Sequence, residues 1–239
     1  MQGDIVTTDV QRKLAMHLQP FITPERYRKF LEILTNRTRY LTIVLEDIYQ
    51  SHNASAVLRS CDCFGIQDVH IIENRNKYEV NPDVALGASK WLNLFRYSGF
   101  ENNTVMCLKS LKQKGYRLVA TSPHLNDFTP ETLPLEKKTA LLFGTELAGL
   151  TPAALDLADD FIKIPMVGFT ESLNISVSAA IFLQTLTHRL RLSNVPWQLN
   201  KTEQDEIMLA WLRQSVNKSE VIIRELLKKE IKSKCDEEL

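Results

Sequence analysis

The chain has 239 residues, which suits one large domain or one domain with extensions, and its 29 basic and 29 acidic side chains cancel. This neutral balance argues against a protein that is held to nucleic acid by bulk charge alone. The N-terminus has no apolar signal-peptide core and no apolar run reaches about 18 residues, so we expect a soluble, cytoplasmic protein with no membrane partner.

The first segment of the chain is predicted to be a helical extension over residues 1–38. Apolar side chains recur at helical spacing between residues 9 and 36, and Thr23-Pro24-Glu25 fits an N-cap followed by proline in the first turn. Basic residues outnumber acidic ones here, and they either contact phosphate or only solvate a helix face.

Strands and helices alternate over residues 39–195, which we predict to form one domain. Leu41–Glu46 and Thr139–Phe143 are nearly continuous apolar runs, typical of strands buried on both faces. Further strands are predicted at 69–72, 116–121 and 161–164, and helices at 53–64, 105–114, 151–158 and 172–192, whereas residues 74–99 are expected to be irregular. The β-α-β pattern with short links predicts an α/β fold, a parallel sheet with helices on both faces.

A second helical extension is predicted over residues 196–239, after a polar, proline-containing link. Its apolar positions have helical spacing as far as residue 227. We predict a break near Asn217-Lys218-Ser219, where Ser219 would cap a new helix.

Polar or glycine-rich turns follow four of the predicted strands, at the edge of a parallel sheet where ligands bind. They carry Asn53 and Arg59, then Thr121, then the run 143–149, then the run 165–174. We expect these turns to hold a neutral or zwitterionic ligand and to guide an oxygen nucleophile or a phosphate. The groups they offer are backbone amides, small hydroxyls, an Asn pair, a Glu and an Arg. The last run alone also fits a well-capped core helix.

Several common sites are excluded by their missing motifs. The chain has no G-x-G-x-x-G, no G-x-x-x-x-G-K-[ST] and no G-x-S-x-G, which argues against a dinucleotide-binding fold, a P-loop and a hydrolase elbow. Its four cysteines (Cys61, Cys63, Cys107 and Cys235) form no metal-binding pair, so we expect no metal and buried, reduced thiols.

Three ordered motifs resemble those of the SPOUT (SpoU/TrmH-type) RNA 2′-O-ribose methyltransferases. They read Asn53-x-x-Ala56-x-x-Arg59, then Phe143-Gly144-x-Glu146-x-x-Gly149-Leu150, then Ile164-Pro165 with Ser172-Leu173-Asn174-x-Ser176-x-Ser178. The resemblance implies methyl transfer to the ribose 2′-OH of a tRNA guanosine, at position 18 of the D-loop. An enzyme acting on rRNA and a catalytically silent RNA-binding relative are the alternatives.

The resemblance also implies a homodimer, a deep C-terminal trefoil knot and S-adenosylmethionine as the methyl donor. Periodicity shows no knot, and knots are rare in folds. By motif match, four residues would contact the cofactor, largely through their backbone: Thr121, Gly144, Ile164 and Leu173.

The family role that Arg59 would inherit is activation of the 2′-hydroxyl. A guanidinium rarely acts as a base, so we expect Arg59 to fix the 2′-oxygen and a substrate phosphate, with the proton passing through either. Asn53 would orient Arg59 or the ribose, and Ser172 and Asn174 would shape the ribose site. Glu146 would lock its loop, or would cap that loop with no catalytic part.

Two features depart from the family pattern. Glu171 stands before Ser172, where the family tends to have Gln, and places a negative charge near the expected RNA site. The neutral chain is also less basic than expected for a tRNA binder, because phosphate contacts dominate such affinity. The basic N-terminal segment and a second copy of the chain would compensate.

Overall fold

The computed structural model of the chain describes residues 8–237 except residues 80, 123 and 126. The chain divides into two compact units. Arg37–Gln198 forms an α/β unit, and the described residues before Arg37 and after Gln198 form a helical unit. None of the helices in the described ranges is long and apolar enough to cross a membrane.

The described part of the α/β unit has six strands: β1 (Leu41–Glu46), β2 (Asp68–Ile72), β3 (Asn93–Tyr97), β4 (Arg117–Thr121), β5 (Thr139–Phe143) and β6 (Asp160–Ile162). They form one sheet in the order β3-β2-β1-β5-β4-β6. Every paired neighbour is parallel, with Leu41 opposite Thr139 and Ile43 opposite Val69.

The helices, in chain order, begin and end as follows: α1 (Thr8–Leu18), α2 (Pro24–Leu34), α3 (Ser51–Phe64), α4 (Pro82–Ala85), α5 (Asn103–Gln113), α6 (Pro152–Leu157), α7 (Ile175–Leu192), α8 (Lys201–Ser215) and α9 (Ser219–Glu237). Short 3₁₀ turns occupy Gln19–Phe21 and Ala88–Lys90.

Two apolar cores lie on opposite faces of the sheet. Ile43 and Leu45 point into a core that α3 and α7 complete, whereas Val44 belongs to a core completed by α5 and α6. Successive strand residues face opposite sides, so a strand covered on both sides must be apolar throughout. The predicted parallel sheet with helices on both faces is thus confirmed, and the trefoil knot stays a prediction.

The structure corrects three local predictions. Residues 74–99 are not irregular throughout, because they contain α4 and β3. The helix expected from residue 172 begins at Ile175, since Asn174 caps it and residues 171–173 have no regular secondary structure. The break before α9 is present, but Ser219 is its first helical residue and donates to the Arg213 carbonyl instead of capping.

The helical unit is built from α1, α2, α8 and α9. The rings of Phe30 and Trp211 meet edge to face at 5.4 Å, and Arg12 bonds the Asp205 carboxylate at 2.9 Å. A capping box of Asn200 and Glu203 starts α8, because each side chain satisfies an otherwise unpaired amide of the first turn.

Candidate active site

Three loops from distant parts of the sequence meet at the carboxylate of Glu146. Its Oε1 atom accepts a hydrogen bond from Asn53 Nδ2 at 2.7 Å and another from Asn174 Nδ2 at 2.7 Å. Asn174 Nδ2 also donates to Asn53 Oδ1 at 3.2 Å. The first turn of α3, the loop after β5 and the start of α7 are thereby joined by one acidic group.

The local structure explains why these two asparagines point toward Glu146. Asn53 is buried in the first turn of α3, where its amide also donates to Gln50 Oε1 at 2.9 Å. Asn174 is the N-cap of α7, and its Oδ1 atom accepts from the Ser176 amide at 2.9 Å. With the oxygen used in the cap, the amide nitrogen of Asn174 is left to donate to Glu146.

The loop that carries Glu146 closes on itself between Thr145 and Gly149. Each of these two residues donates its backbone N–H to the other's carbonyl, at 3.0 and 2.9 Å. Gly149 has a φ of +67°, and a Cβ on Gly144 would lie 2.1 Å from the Gly149 carbonyl carbon. Only glycine fits both positions, one for its backbone angle and one for the close approach.

A cavity of about 430 Å³ opens beside this loop at the carboxyl ends of β4, β5 and β6. All four residues predicted to bind a cofactor line it: Thr121, Gly144, Ile164 and Leu173. Glu146 and Ser172 also line it, as does Glu171, whose negative charge is therefore part of the wall. Its wall mixes apolar and polar groups and carries two carboxylates and the cation Lys163, which suits a ligand with charges of both signs.

A smaller cavity of about 280 Å³ shares part of this wall. Thr145, Glu146, Leu147 and Ile175 line both cavities. The smaller one is completed by residues that the sequence reasoning did not single out, namely Ile48, Tyr49, Gln50 and Asn76. Their common signal is position, because each follows the carboxyl end of β1 or β2 within a few residues.

Arg59 lies apart from the asparagine–glutamate cluster. It is exposed on α3, and among the described residues no side chain forms a hydrogen bond or ion pair with it. It lies six positions after Asn53, about 9 Å further along the helix axis. Asn53 was predicted to orient either Arg59 or the ribose. Its side chain forms no hydrogen bond with Arg59 in this structure, so the first of these roles has no support within one chain.

Two buried carboxylates at the end of β1 hold neighbouring segments of the α/β unit together. Glu46, at the end of β1, accepts from the Thr104 hydroxyl and from the amide and hydroxyl of Thr151. Asp47 Oδ1 accepts from the backbone amides of residues 74, 75 and 76, at 3.1, 2.7 and 2.8 Å. The hydrogen bonds of Asp47 join the loop after β1 to the loop after β2.

The three cysteines whose side chains the structure describes form no disulfide. Cys61 and Cys107 are buried, as expected. Cys63 is exposed on α3, so the prediction of a buried thiol is wrong at that position. The side chain of Cys235 lies outside the described residues. Within the described ranges, no group of three or more His, Cys, Asp or Glu side chains is placed to hold a metal ion.

Comparison with known proteins agrees with the motif resemblance. A tRNA (guanosine(18)-2′-O)-methyltransferase of Borreliella burgdorferi is 44% identical over 214 residues, 90% of this chain and 96% of the relative. The enzyme of the same name from Thermus thermophilus is 33% identical over 194 residues, covering 80% of this chain and 97% of the relative.

The structural comparison leads to the same family. The crystal structure of the A. aeolicus TrmH/SpoU tRNA modifying enzyme superposes with a TM-score of 0.71 at 27% identity, covering 81% of this chain and 98% of that one. The SpoU rRNA Methylase family profile matches residues 40–184, which include all three motifs. The resemblance inferred from those motifs is confirmed, and the chain belongs to the SpoU rRNA methylase family.

Proposed function

We propose that this protein transfers a methyl group from S-adenosylmethionine to the ribose 2′-hydroxyl of guanosine 18 in tRNA. The observation that carries the proposal is the meeting of Asn53, Glu146 and Asn174, one from each motif, beside the larger cavity. The names of the relatives from Borreliella and Thermus support the choice of guanosine 18, since this chain covers nearly their whole length.

The larger cavity fits the proposed cofactor in size and chemistry. Its volume of about 430 Å³ lies within the range of roughly 300–1,000 Å³ that is usual for small-molecule sites. In the part of the chain that the structure describes, the backbone N–H groups of Ile164 and of residues 166–173 donate no hydrogen bond, so they are available to a ligand. Phe182 and Ile162 supply apolar wall for a base, and Glu146 and Glu171 supply negative charge.

When bound, S-adenosylmethionine supplies a reactive methyl group on a positively charged sulfur. The protein must then hold the 2′-oxygen about 3 Å from the methyl carbon and in line with the sulfur. We assign that positioning to Ser172 and Asn174. Glu146 keeps Asn174 and Asn53 in place, which favours a positioning role over a loop cap without catalytic effect.

Arg59 is assigned to the 2′-hydroxyl and a neighbouring substrate phosphate. A guanidinium donates hydrogen bonds and carries positive charge, so Arg59 would fix both oxygens and stabilise the alkoxide that forms as the 2′-hydroxyl proton passes to an oxygen of that phosphate. Because Arg59 has no partner among the described residues, its full hydrogen-bonding capacity is available to RNA.

We further propose that the active unit is a homodimer in the cytoplasm. Leu147, Val167 and Phe169 are almost fully exposed apolar side chains in the two loops that line the larger cavity. Both loops border the same cavity, and apolar side chains that are exposed near one another are typical of surfaces that another protein covers. A second copy would cover them and would bring further basic side chains to a chain with no net charge. Light scattering of the purified protein measures the mass directly, and a monomer would contradict the dimer.

Ribosomal RNA is the second candidate substrate, and the description of the family as rRNA methylases favours it. A silent RNA-binding relative is less compatible with the chain, which retains both Arg59 and Asn174.

The proposal is tested by methyl transfer from labelled S-adenosylmethionine to an unmodified tRNA transcript, with nuclease mapping of the product. We expect one 2′-O-methyl group at guanosine 18, and no label on a transcript with 2′-deoxyguanosine at that position. Label on rRNA alone would move the substrate to the second candidate.

The role of Arg59 is tested in the same assay. Arg59→Ala should abolish transfer while cofactor binding is unchanged, and Lys109→Ala, an exposed cation on α5, serves as the matched control. Full activity of Arg59→Ala would refute the assigned role.

A further inference from the structure

The smaller cavity lies where the acceptor nucleoside must be. It shares the wall formed by Thr145, Glu146, Leu147 and Ile175 with the larger cavity. A 2′-oxygen that reaches a methyl group in the larger cavity must come from a nucleoside bound next to that wall. At about 280 Å³ the smaller cavity is close to the lower limit of about 300 Å³ for small-molecule sites, as expected for a single nucleoside.

The lining of this cavity matches the chemistry of a nucleobase. Ile48, Leu147 and Ile175 supply apolar surface, and the ring of Tyr49 is 79% exposed at the rim. An aromatic ring held in a loop and open to solvent is the usual stacking partner of an unpaired base in a nucleic-acid loop.

Two amide side chains in the same cavity have hydrogen-bonding positions left over. Gln50 Oε1 accepts from Asn53, which leaves the Nε2 donors of Gln50 available. Asn76 Nδ2 donates to the Asp47 carbonyl at 3.0 Å, which leaves Asn76 Oδ1 as an acceptor. These contacts fix which end of each amide faces a ligand.

The loop that carries Asn76 is held rigidly against the loop that carries Tyr49. The Asp47 carboxylate accepts three successive backbone amides of that loop, residues 74–76. The same loop presents Arg75 and Lys77, both exposed, on either side of Asn76. The cavity therefore has fixed polar groups within it, and two exposed cations flank one of these groups, Asn76, in the sequence.

We propose that the smaller cavity binds the guanine of the acceptor nucleotide, which deepens the proposed function and rests on it. Tyr49 stacks on the base, Gln50 donates to the O6 atom, and Asn76 accepts from the N1–H and N2–H donors. Arg75 and Lys77 bind the phosphates on either side of that nucleotide. Adenine presents its donor and acceptor in the reverse order and would mismatch both amides.

The experiment measures kcat and KM for tRNA with Tyr49→Ala and with Tyr49→Phe, which keeps the ring. We expect Tyr49→Ala to raise KM about 10-fold or more, with unchanged binding of S-adenosylmethionine, and Tyr49→Phe to behave like the wild type. Equal KM values for Tyr49→Ala and the wild type would overturn the stacking role.

Base recognition is tested with transcripts that carry inosine or adenosine at the acceptor position. Wild-type protein should methylate the inosine transcript more slowly, because inosine lacks the N2 amino group, and the adenosine transcript least. Asn76→Ala should remove most of the difference between guanosine and inosine. If Asn76→Ala discriminates between them as well as the wild type does, the assignment of Asn76 is wrong. Wild-type protein that methylates no tRNA at all would instead refute the proposed function.

Discussion

Replacing Glu146 with alanine tests whether one carboxylate holds the three motif loops together. Its Oε1 atom accepts two hydrogen bonds of 2.7 Å, from Asn53 and Asn174. A hydrogen bond to a charged group contributes about 1.5–3 kcal/mol, and the exposure of Glu146 favours the lower value for each. Asn53 keeps Gln50 as an acceptor after the change. We therefore expect Glu146→Ala to lower the free energy of unfolding by about 2 kcal/mol.

A double-mutant cycle isolates the bond between Glu146 and Asn174. Asn174→Ser keeps an oxygen that can cap the Ser176 amide at the start of α7, but it lacks the amide donor. Combined with Glu146→Ala, it should show a coupling energy of about 1 kcal/mol in urea denaturation. Glu101→Gln, an exposed acid elsewhere in the same unit, should change stability by less than about 0.5 kcal/mol.

Glu146→Gln separates the effect of the charge from the effect of the acceptor. Glutamine still offers an oxygen, but both hydrogen bonds become neutral and about half as strong. Its loss of stability should therefore be about half that of Glu146→Ala. A coupling energy below about 0.3 kcal/mol, within the usual error of additivity, would refute the view that this carboxylate joins the loops.

Two further predictions concern positions outside that cluster. Gly144→Ala should lower the free energy of unfolding by about 3 kcal/mol, because its Cβ would lie 2.1 Å from the backbone of Gly149. Gly168→Ala should be tolerated, since no atom lies nearer than 4.0 Å to the added Cβ. Equal effects of the two changes in thermal or urea unfolding would refute the steric explanation. Burial, with a smaller contribution from Lys114, lowers the pKa of His70 from 6.5 to about 4. Below pH 6.5 the unfolded chain therefore binds a proton that the folded protein does not bind, and the stability of the fold decreases. Between pH 7.5 and 4.5, protonation of His70 in the unfolded chain should lower the free energy of unfolding by about 2.5 kcal/mol. In His70→Gln the decrease over this range should be smaller by that amount, and an unchanged pH dependence would contradict the assignment to His70.

The elements that could be predicted from the sequence are those whose signal is local. β1 and β5 are central strands covered on both faces, so each is a continuous apolar run that matches its structural limits. β3 was missed because it is an edge strand with no buried residue, and its mixed polar and apolar side chains resemble a loop. The start of α7 was misplaced by three residues because Ser172, Asn174 and Ser176 are all acceptable caps.

The site was predicted only as far as the motifs reached. The motifs identified Asn53, Glu146 and Asn174, but they did not predict the hydrogen bonds between these side chains. Glu146 lies 93 positions after Asn53 and 28 before Asn174, so only the fold brings the three together. Asn53 and Asn174 are 121 positions apart. Tyr49 and Asn76 were missed because an exposed side chain after a strand looks like ordinary loop until the fold places two such loops side by side.

The position of Arg59 gives the strongest reason for proposing a second copy of the chain. Residues six apart in a helix are rotated by about 240°, so Arg59 leaves α3 on a different side from Asn53. Asn53 is buried toward Glu146 and the cavities, whereas Arg59 is exposed. If the same reaction needs both residues, the proposed homodimer would supply the cluster around Glu146 from one chain and Arg59 from the other. The exposed apolar side chains of Leu147, Val167 and Phe169 would then lie at the surface that brings the two together.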